Sequence, residues 1–385
     1  MSELRSIRQS TNAWACYDCG KCTSSCPIAR AGADYSPRRH VLSANLGSEG
    51  EAISDPSIFS CLTCMQCDVR CPAGVDYTRL VRDLRALSQT EGTVEPDCPH
   101  GGALQSVMRM MASGGPTQNR LEWLEDDLKT SPDTGAVFFF TGCAMYYDAF
   151  FPELEVTTVE GLKAGVRVLN ALGYEPVVSV DERCCGHDLL WNGDRESFEK
   201  LARHNIELVQ ASGASLLVTS CAECLRTWKL DYEPFFNGAR PQMVHLTELA
   251  SEKLDRLQLT SCEEKKLTYQ DPCRLGRHLG IYEPPRTLLN AVPDVELVEM
   301  PRHANRALCC AGGTWSSCDR FAKQIQVDRL KEARATGADA MVTACPKCQV
   351  HFKCAMKGHE GDNDLTIEMK DIAEVVASAL VRTES

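Results

Sequence analysis

Two adjacent cysteines stand in the sequence Arg183-Cys184-Cys185-Gly186-His187, near the middle of a chain of 385 residues. A second pair stands in residues 308–313, which read Leu-Cys-Cys-Ala-Gly-Gly. The pairs follow a lone cysteine by 41 and 36 positions and precede a C-x2-C motif by 36 and 35 positions. The two sets of five are Cys143, Cys184, Cys185, Cys221 and Cys224, and Cys273, Cys309, Cys310, Cys345 and Cys348. This repeat predicts two equivalent metal sites.

Five thiolates are one more than a tetrahedral zinc site or an ordinary cubane iron–sulfur cluster takes. Neighbouring cysteines direct their sulfur atoms differently, so the pairs suit an asymmetric cluster with adjacent irons or a bridging thiolate. Soft thiolates select zinc as readily as iron. On spacing alone, a four-thiolate zinc site with a spare thiol and a disulfide framework therefore stay open as alternatives.

The repeated arrangement, which covers residues 135–385, resembles the CCG domains of heterodisulfide reductase catalytic subunits. The resemblance implies that each five-cysteine set holds a noncubane [4Fe-4S] cluster. It also implies a catalytic role for the pairs Cys184, Cys185 and Cys309, Cys310. His187 follows the first pair closely, and we expect it either to deliver a proton to a departing thiolate or to hydrogen-bond to a cluster sulfide.

Residues 1–95 contain the motif C-x2-C-x2-C-x3-C-P twice, as in bacterial ferredoxins, where the fourth cysteine ligates the other cluster. We therefore assign one cubane [4Fe-4S] cluster to Cys16, Cys19, Cys22 and Cys71, and the other to Cys61, Cys64, Cys67 and Cys26. A pair of zinc sites is the alternative, but zinc does not explain two identical motifs.

Helix signals surround these motifs. Residues 36–42 begin a helix with proline in its first turn, and residues 76–88 have helical apolar spacing. The segments around Cys16 and Cys61 resemble the α-helical ferredoxin domain of the small heterodisulfide reductase subunit. The chain thus resembles the small and catalytic subunits fused.

Strands and helices alternate after residue 135. We predict strands at residues 136–141, 176–180 and 216–220, and helices at residues 159–172 and 194–211, an order typical of a parallel sheet. Cysteine ligands follow each strand, where sites in such sheets gather.

The second half of the chain repeats this pattern. Residues 212–221 match residues 336–345, and residues 244–250 match residues 367–373. We expect a multidomain protein: an α-helical double-cluster ferredoxin domain (1–95), a connector (96–134) that includes the turn-rich residues 113–117, and two homologous α/β CCG lobes (135–257 and 258–385) related by a pseudo-twofold axis.

Composition and charge restrict the classes of partner and the cellular compartment that we expect for this protein. A net charge of −12 and a pI near 5.3 argue against nucleic acid or an anionic membrane surface. The longest apolar runs, such as residues 136–140, are too short for a transmembrane segment, and no signal peptide is recognised. We therefore predict a cytoplasmic protein, which could reach the inner face of the membrane through a partner, and in this compartment the 22 cysteines indicate metal or redox chemistry instead of disulfides.

Nucleotide-binding motifs such as G-x-G-x-x-G and Walker A are missing, so we expect no flavin or nucleotide of its own. Electrons must then come from another subunit, either a flavoprotein or a b-type cytochrome.

Two further groups of residues have open roles. Spare thiols are predicted at Cys98, Cys262, Cys318 and Cys354. A basic cluster forms either an anion site for a substrate or charge compensation for a cluster: Arg274, Arg277, His278, Arg302, His303 and Arg306.

The resemblance implies a heterodisulfide reductase-like iron–sulfur oxidoreductase. Electrons would pass through the two cubanes to the two noncubane clusters, which face and split a small disulfide. The alternative is an electron-relay subunit with no substrate, in a flavin-containing, possibly bifurcating, or quinone-linked complex. The iron–sulfur subunits of anaerobic glycerol-3-phosphate dehydrogenase and glycolate oxidase share this architecture but often lack cysteines from one set. This chain keeps all ten.

Overall fold

A computed structural model describes residues 3–114, 119–359, 361–362 and 364–381. Residues 115–117 of the predicted turn lie outside this range. The chain forms two compact units. The first comprises Met1–Gly114, Gly186–Lys200 and Leu308–Gln326, and the second comprises Gly115–Cys185, Leu201–Ala307 and Val327–Ser385. The second segment of the first unit thus begins directly after the first cysteine pair, and the third segment begins directly before the second pair. The domain boundaries inferred from the sequence stay predictions.

Helices build the N-terminal part of the first unit. They are α1 Glu3–Ser10, α2 Lys21–Ser25, α3 Pro27–Arg30, α4 Pro37–Leu46, α5 Glu49–Ile53, α6 Tyr77–Thr90 and α7 Ala103–Ala112. Two predicted helices are confirmed as α4 and α6. The Ser36 side chain accepts from the Arg39 amide and the Asp76 side chain from the Arg79 amide, so each helix begins at a polar N-cap. The apolar stripe of α6 forms the core of this unit.

The remaining elements alternate strand and helix. They are β1 Val137–Phe139, α8 Tyr147–Phe150, α9 Thr158–Ala171, α10 His187–Asn192, α11 Arg195–Ala211, β2 Leu216–Thr219, α12 Ala222–Arg226, β3 Gln242–His245, α13 Leu246–Glu252, β4 Lys266–Gln270, α14 Glu283–Ala291, β5 Glu296–Leu297, α15 Arg320–Ala335, β6 Ala340–Thr343, α16 Pro346–Lys357, β7 Glu368–Asp371 and α17 Ile372–Ser378. Helix α10 lies in the first unit, where it packs against α6 and α7.

The second unit contains two parallel sheets, with the strand orders β1-β2-β3 and β5-β4-β6-β7. The predicted parallel α/β architecture is therefore confirmed. The predicted strand at residues 176–180 is wrong as a strand. Only Val177 forms isolated parallel bridges, to Ser131 and Phe138. Pro176 has no amide hydrogen to donate, so this segment cannot form a continuous ladder of hydrogen bonds beside β1.

Helix packing joins the two sheets. Helix α9 packs against α17, and α13 packs against α14. The sequence match of β2 with β6 holds, whereas the match of residues 244–250 with residues 367–373 is wrong by three positions. Strand β3 ends at His245 and β7 ends at Asp371, and each residue caps the helix that follows. Both segments share helical apolar spacing, in which a shift of three positions preserves the apolar face.

In the part of the chain that the structure describes, every helix is too short or too polar to cross a bilayer.

Candidate metal centres

Two cavities in the first unit are lined by the ferredoxin-type cysteines. One, of about 450 Å³, is lined by Cys16, Cys19, Cys22, Cys67 and Cys71. The other, of about 280 Å³, is lined by Cys26, Cys61, Cys64 and Cys67. The fourth cysteine of each motif thus lines the cavity of the other motif, and Cys67 lines both cavities. The crossed ligand assignment stays a prediction. Cys19 is exposed and the four cysteines of the second cavity are buried, so the first cavity is the more accessible.

The loops that carry these cysteines share an unusual backbone. Asp18 and Thr63 occupy the same position in the two motifs, and both have a left-handed backbone with φ of 60° and 49°. Gly20 and Met65 form a second equivalent pair, at 76° and 60°. Amides turn towards sulfur: Thr63 N lies 3.3 Å from Cys61 Sγ, and Val75 N lies 3.4 Å from Cys71 Sγ. A repeated conformation of this kind suits an anionic group inside each loop.

A hydrogen-bonded chain of aromatic side chains borders the second cavity. The Tyr35 and Tyr77 hydroxyls are 2.6 Å apart, and Tyr77 is also 2.6 Å from His40 Nδ1. Tyr77 lines both cavities, and Tyr35 hydrogen-bonds to the Cys61 thiol. Burial raises the pKa of both tyrosines well above the usual value, so both remain hydrogen-bond donors. Sequence reasoning missed these residues, because a tyrosine at or just before the start of a helix resembles an ordinary core residue.

Arg85 of α6 places a buried cation beside the second cavity. Its guanidinium donates to the carbonyls of Ile58 (2.9 Å), Cys61 (2.8 Å) and Trp191 (2.8 Å). The charge of Arg85 opposes the rise that burial causes in the pKa of Cys61. A cation in this position compensates the negative charge of a thiolate site. Its spacing in the sequence offers no signal of this role.

The second unit brings together the whole first five-cysteine set. The Cys224 thiol hydrogen-bonds to Cys185 and Cys221, and Cys184 hydrogen-bonds to Cys185. These hydrogen bonds lower the pKa of Cys185 to about 7. Bonds from Cys224 and from Cys345 lower the pKa of Cys221 to about 6. Cys143 lies close enough for its charge to affect Cys185, and its sulfur is 3.3 Å from the Tyr147 hydroxyl.

A buried ion pair supports the loops of this set. The side chains of Arg120 and Glu182 are both fully buried and 2.9 Å apart. Glu182 also accepts from the amides of Thr141 (3.1 Å) and Gly142 (2.6 Å), directly before Cys143. The pair therefore joins the loop of Cys143 to the loop of Cys184. Asn205 and the Tyr232 hydroxyl donate to the carbonyls of Cys184 and Cys185, each at 3.0 Å.

The second five-cysteine set is distributed between the units. Cys273, Cys345 and Cys348 belong to the second unit, where the last two are buried. Cys309 and Cys310 are buried in the first unit, where Gln326 donates to the Cys310 carbonyl at 3.1 Å. Ligation of one cluster by all five stays a prediction.

His187 is the first residue of α10 and is buried, with its ring 5.8 Å from that of Trp191. Its proposed proton-transfer role stays a prediction.

Most of the basic cluster serves structural contacts. Arg277 donates to the Ala307 carbonyl at 2.8 Å, Arg302 pairs with Glu332, and His303 contacts the Met300 carbonyl at 2.9 Å. Arg274 lies 2.5 Å from His278. Among the spare thiols, Cys262 is buried against Val292 and Ala379, Cys98 and Cys354 are half-buried, and Cys318 is exposed.

These donor sets fit iron–sulfur clusters. The thiols converge on cavities or on one another, and backbone amides and a buried cation lie close to the sulfurs. Thiolate is the form that binds metal.

Comparisons with known proteins agree with this chemistry. Residues 15–76 match the family model of a 4Fe-4S dicluster domain. Residues 137–229 and 267–353 each match the model of a cysteine-rich domain, named CCG. The matched segments contain all eighteen cysteines of the predicted ligand sets.

Relatives match almost the full chain. The D subunit of dihydromethanophenazine:CoB–CoM heterodisulfide reductase from Methanosarcina acetivorans is 30% identical over 95% of this chain and 93% of its own length. The B subunit of fumarate reductase (CoM/CoB) from Methanothermobacter marburgensis is 26% identical over 93% of this chain and 72% of its own.

A solved structure, a hypothetical protein from Helicobacter pylori, shares the fold with a TM-score of 0.61. It is 13% identical and covers 91% of this chain and 68% of that chain. The converging thiols, the domain matches and the full-length similarity lead to one conclusion: the chain is an iron–sulfur protein that belongs to the family of heterodisulfide reductase D subunits.

Proposed function

We propose that this protein is a reductase subunit that cleaves a small disulfide with electrons from a partner. In the reaction the S–S bond breaks, two electrons and two protons are taken up, and two thiols leave. The observation that carries the proposal is the contact between Cys221 and Cys345, one from each five-cysteine set. Two sets that meet can serve the two sulfur atoms of one substrate.

The relatives favour this substrate class. Both are named for CoM and CoB, and one is named for their heterodisulfide. A chain that keeps all ten CCG-domain cysteines retains the ligands for two sites. We therefore infer that each five-cysteine set holds a noncubane [4Fe-4S] cluster, and that the eight ferredoxin-type cysteines hold two cubanes. When bound, these clusters would supply one-electron transfer.

Paired contacts support a pseudo-twofold relation between the two lobes. Helix α9 follows the first strand of one lobe, and α14 follows the first strand of the other. Helix α9 packs against α17, and α14 packs against α13. In both cases the partner is the helix that follows the last strand of the other lobe. His245 and Asp371, the N-caps of those helices, form matching capping boxes. This exchange of equivalent contacts is what a twofold axis between homologous lobes produces.

The first unit supplies the proposed electron entry. The cavity of Cys16, Cys19, Cys22 and Cys71 is the more accessible of the two, and exposed Trp14 and Tyr17 lie beside it in sequence. We propose a flavoprotein or a b-type cytochrome as the donor. Exposed aromatic residues are favoured at such contacts.

A viologen assay tests the function. The anaerobic protein with reduced viologen is expected to reduce a small disulfide, measured as free thiols formed per viologen oxidised. Replacing Cys309 and Cys310 by serine should stop turnover, because hydroxyls are poor iron ligands, and replacing Cys184 and Cys185 should do the same. A control variant, Cys262→Ser, alters a buried thiol outside the sets and should keep turnover. Half-activity in either double variant would contradict a shared substrate, and no thiol formation by the wild type would favour the relay function.

A further inference from the structure

The two C-x2-C turns of the second unit are joined by a buried ion pair. Lys347 Nζ lies 2.7 Å from Glu223 Oε2, and the two side chains are 3% and 15% exposed. Both residues hold the same position in their motifs, directly before Cys224 and Cys348. Equivalent positions of the two repeats therefore carry opposite charges and meet each other.

Two further contacts lie along the same junction. The thiols of Cys221 and Cys345 are within hydrogen-bonding reach. The buried ring of His245 faces the carbonyls of Ser220 and Ala344, which directly precede those cysteines. The two turns thus approach each other at their backbones, their first cysteines and their charged residues.

Stability is a weak explanation for the pair. Removing two charges from water costs about as much as their attraction returns, so buried pairs contribute little net stability. What such a pair supplies is a defined geometry. Two glutamates or two lysines at these positions would repel and separate the turns, whereas one of each holds them at a single distance.

We propose that Glu223 and Lys347 form a positioning pair for the reaction proposed above, on which this inference rests. The pair holds the two C-x2-C turns at one separation, so that both five-cysteine sets meet the two sulfurs of one disulfide together. Neither side chain contacts the substrate in this role. The pair acts through the cysteines on either side of it.

The test uses the full-length protein with its clusters and three variants: Lys347→Met, Glu223→Gln, and the charge swap that combines Glu223→Lys with Lys347→Glu. Each single variant should retain wild-type iron but lose disulfide turnover by about tenfold or more, since small misplacements of reacting groups cost this much. The swap should recover most of the loss, because it restores the interaction between the two positions. Lys200→Met, which breaks an exposed pair of the same 2.7 Å length with Glu196, should have no effect.

A second measurement separates this inference from the proposed function. The magnetic interaction between the two reduced CCG-domain centres, measured by electron paramagnetic resonance, depends on their separation and needs no substrate. Single variants should change it and the swap should restore it. Unchanged spectra and turnover in the single variants, or a swap no better than either, would overturn the positioning pair. If a single variant fails to take up iron, the swap alone decides. If the wild type reduces no disulfide, the proposed function fails, while the spectra still decide whether the pair sets the geometry.

Discussion

The single residue that follows each cysteine pair adopts a left-handed backbone conformation. Gly186 and Ala311 each follow a pair, and both have a left-handed backbone, with φ of 72° and 56°. Glycine adopts this conformation freely, whereas alanine does so at a cost of about 1 kcal/mol. That an alanine keeps it at the second pair indicates that the loop geometry is required there. Residues 314 and 315 are also left-handed.

Gly142 is the residue at which this requirement is most testable. Its φ is +62°, and a Cβ atom there would lie 2.8 Å from the Cys224 sulfur. Gly142→Ala should displace this thiol and reduce the iron content by about four atoms, one cluster, while the cubane signals stay. Iron analysis and electron paramagnetic resonance measure both effects. Gly173→Ala is the control, because Gly173 has φ of +86° and no atom within 4 Å of a Cβ. Full iron in Gly142→Ala would contradict the placement of Cys224 in the first set.

At the scale of elements, cysteines of the predicted ligand sets lie where a strand ends and the next helix begins. Cys221 and Cys345 each cap the helix that follows a central strand, α12 after β2 and α16 after β6. Ligands at the carboxyl ends of parallel strands lie close together. The neighbouring strands end in the caps His245 and Asp371, so each sheet presents two such ends at one edge.

The first turn of α17 has a carboxyl group whose charge depends on pH. Burial raises the pKa of Glu374 to about 7, and its side chain accepts from Thr157 Oγ1 at 2.9 Å. The folded protein then holds a proton that the unfolded chain has lost above its ordinary pKa of about 4.5. Stability should therefore fall as pH rises from about 4.5 to 7, by roughly 3 kcal/mol at most, and level off above.

Thermal unfolding temperatures between pH 5 and 8 measure this dependence. The Glu374→Gln side chain stays neutral at every pH. The unfolding temperature of this variant should therefore fall less steeply than that of the wild type as pH rises. Glu248→Gln, at the equivalent position of the capping box of α13, is the matched control for replacing such a carboxylate by an amide. Equal slopes for wild type and Glu374→Gln would show that Glu374 titrates normally.

At the scale of the whole molecule, compact units and sequence repeats divide the chain differently. Residues 186–200 and 308–326 lie within the repeats but belong to the first unit. There Asn192 donates to the Thr314 carbonyl at 2.8 Å and Gln105 to the Trp315 carbonyl at 2.7 Å. A fragment that begins at residue 135 would keep the first contact but lose the second, together with the packing of α10 against α6 and α7. Point variants of the full chain are therefore the better probes of electron entry.

Metal content is the prediction for the whole molecule. Protein purified without oxygen should contain about sixteen irons per chain, by the count of four four-iron clusters. Metal analysis should find iron and acid-labile sulfide in equal amounts and little zinc. Removing iron with a chelator should lower the unfolding temperature, because cluster binding and folding are coupled. About eight irons, or zinc in their place, would contradict the two noncubane sites.

Cysteine spacing and strand–helix alternation in the sequence were sufficient to predict the parallel α/β architecture and the family, while the cysteine ligand sets stay predictions. Cysteine ligands recur at short intervals along the chain, and strands alternate with helices at regular intervals. Both patterns can therefore be recognised in the linear sequence. The crossed cubane assignment rests on the same spacing and stays a prediction, although Cys71 and Cys26 each line the cavity of the other motif.

Only the tertiary structure decided which side chains surround those cysteines. Arg120 and Glu182 are 62 residues apart, and the Trp191 carbonyl lies 106 residues from Arg85. Glu223 and Lys347 meet although they belong to different repeats. Sequence reasoning also matched β7 to β3 three positions out of register. Such contacts have no period and no motif, because they depend on how the folded elements pack, and burial alone turns an ordinary charged residue into part of a site.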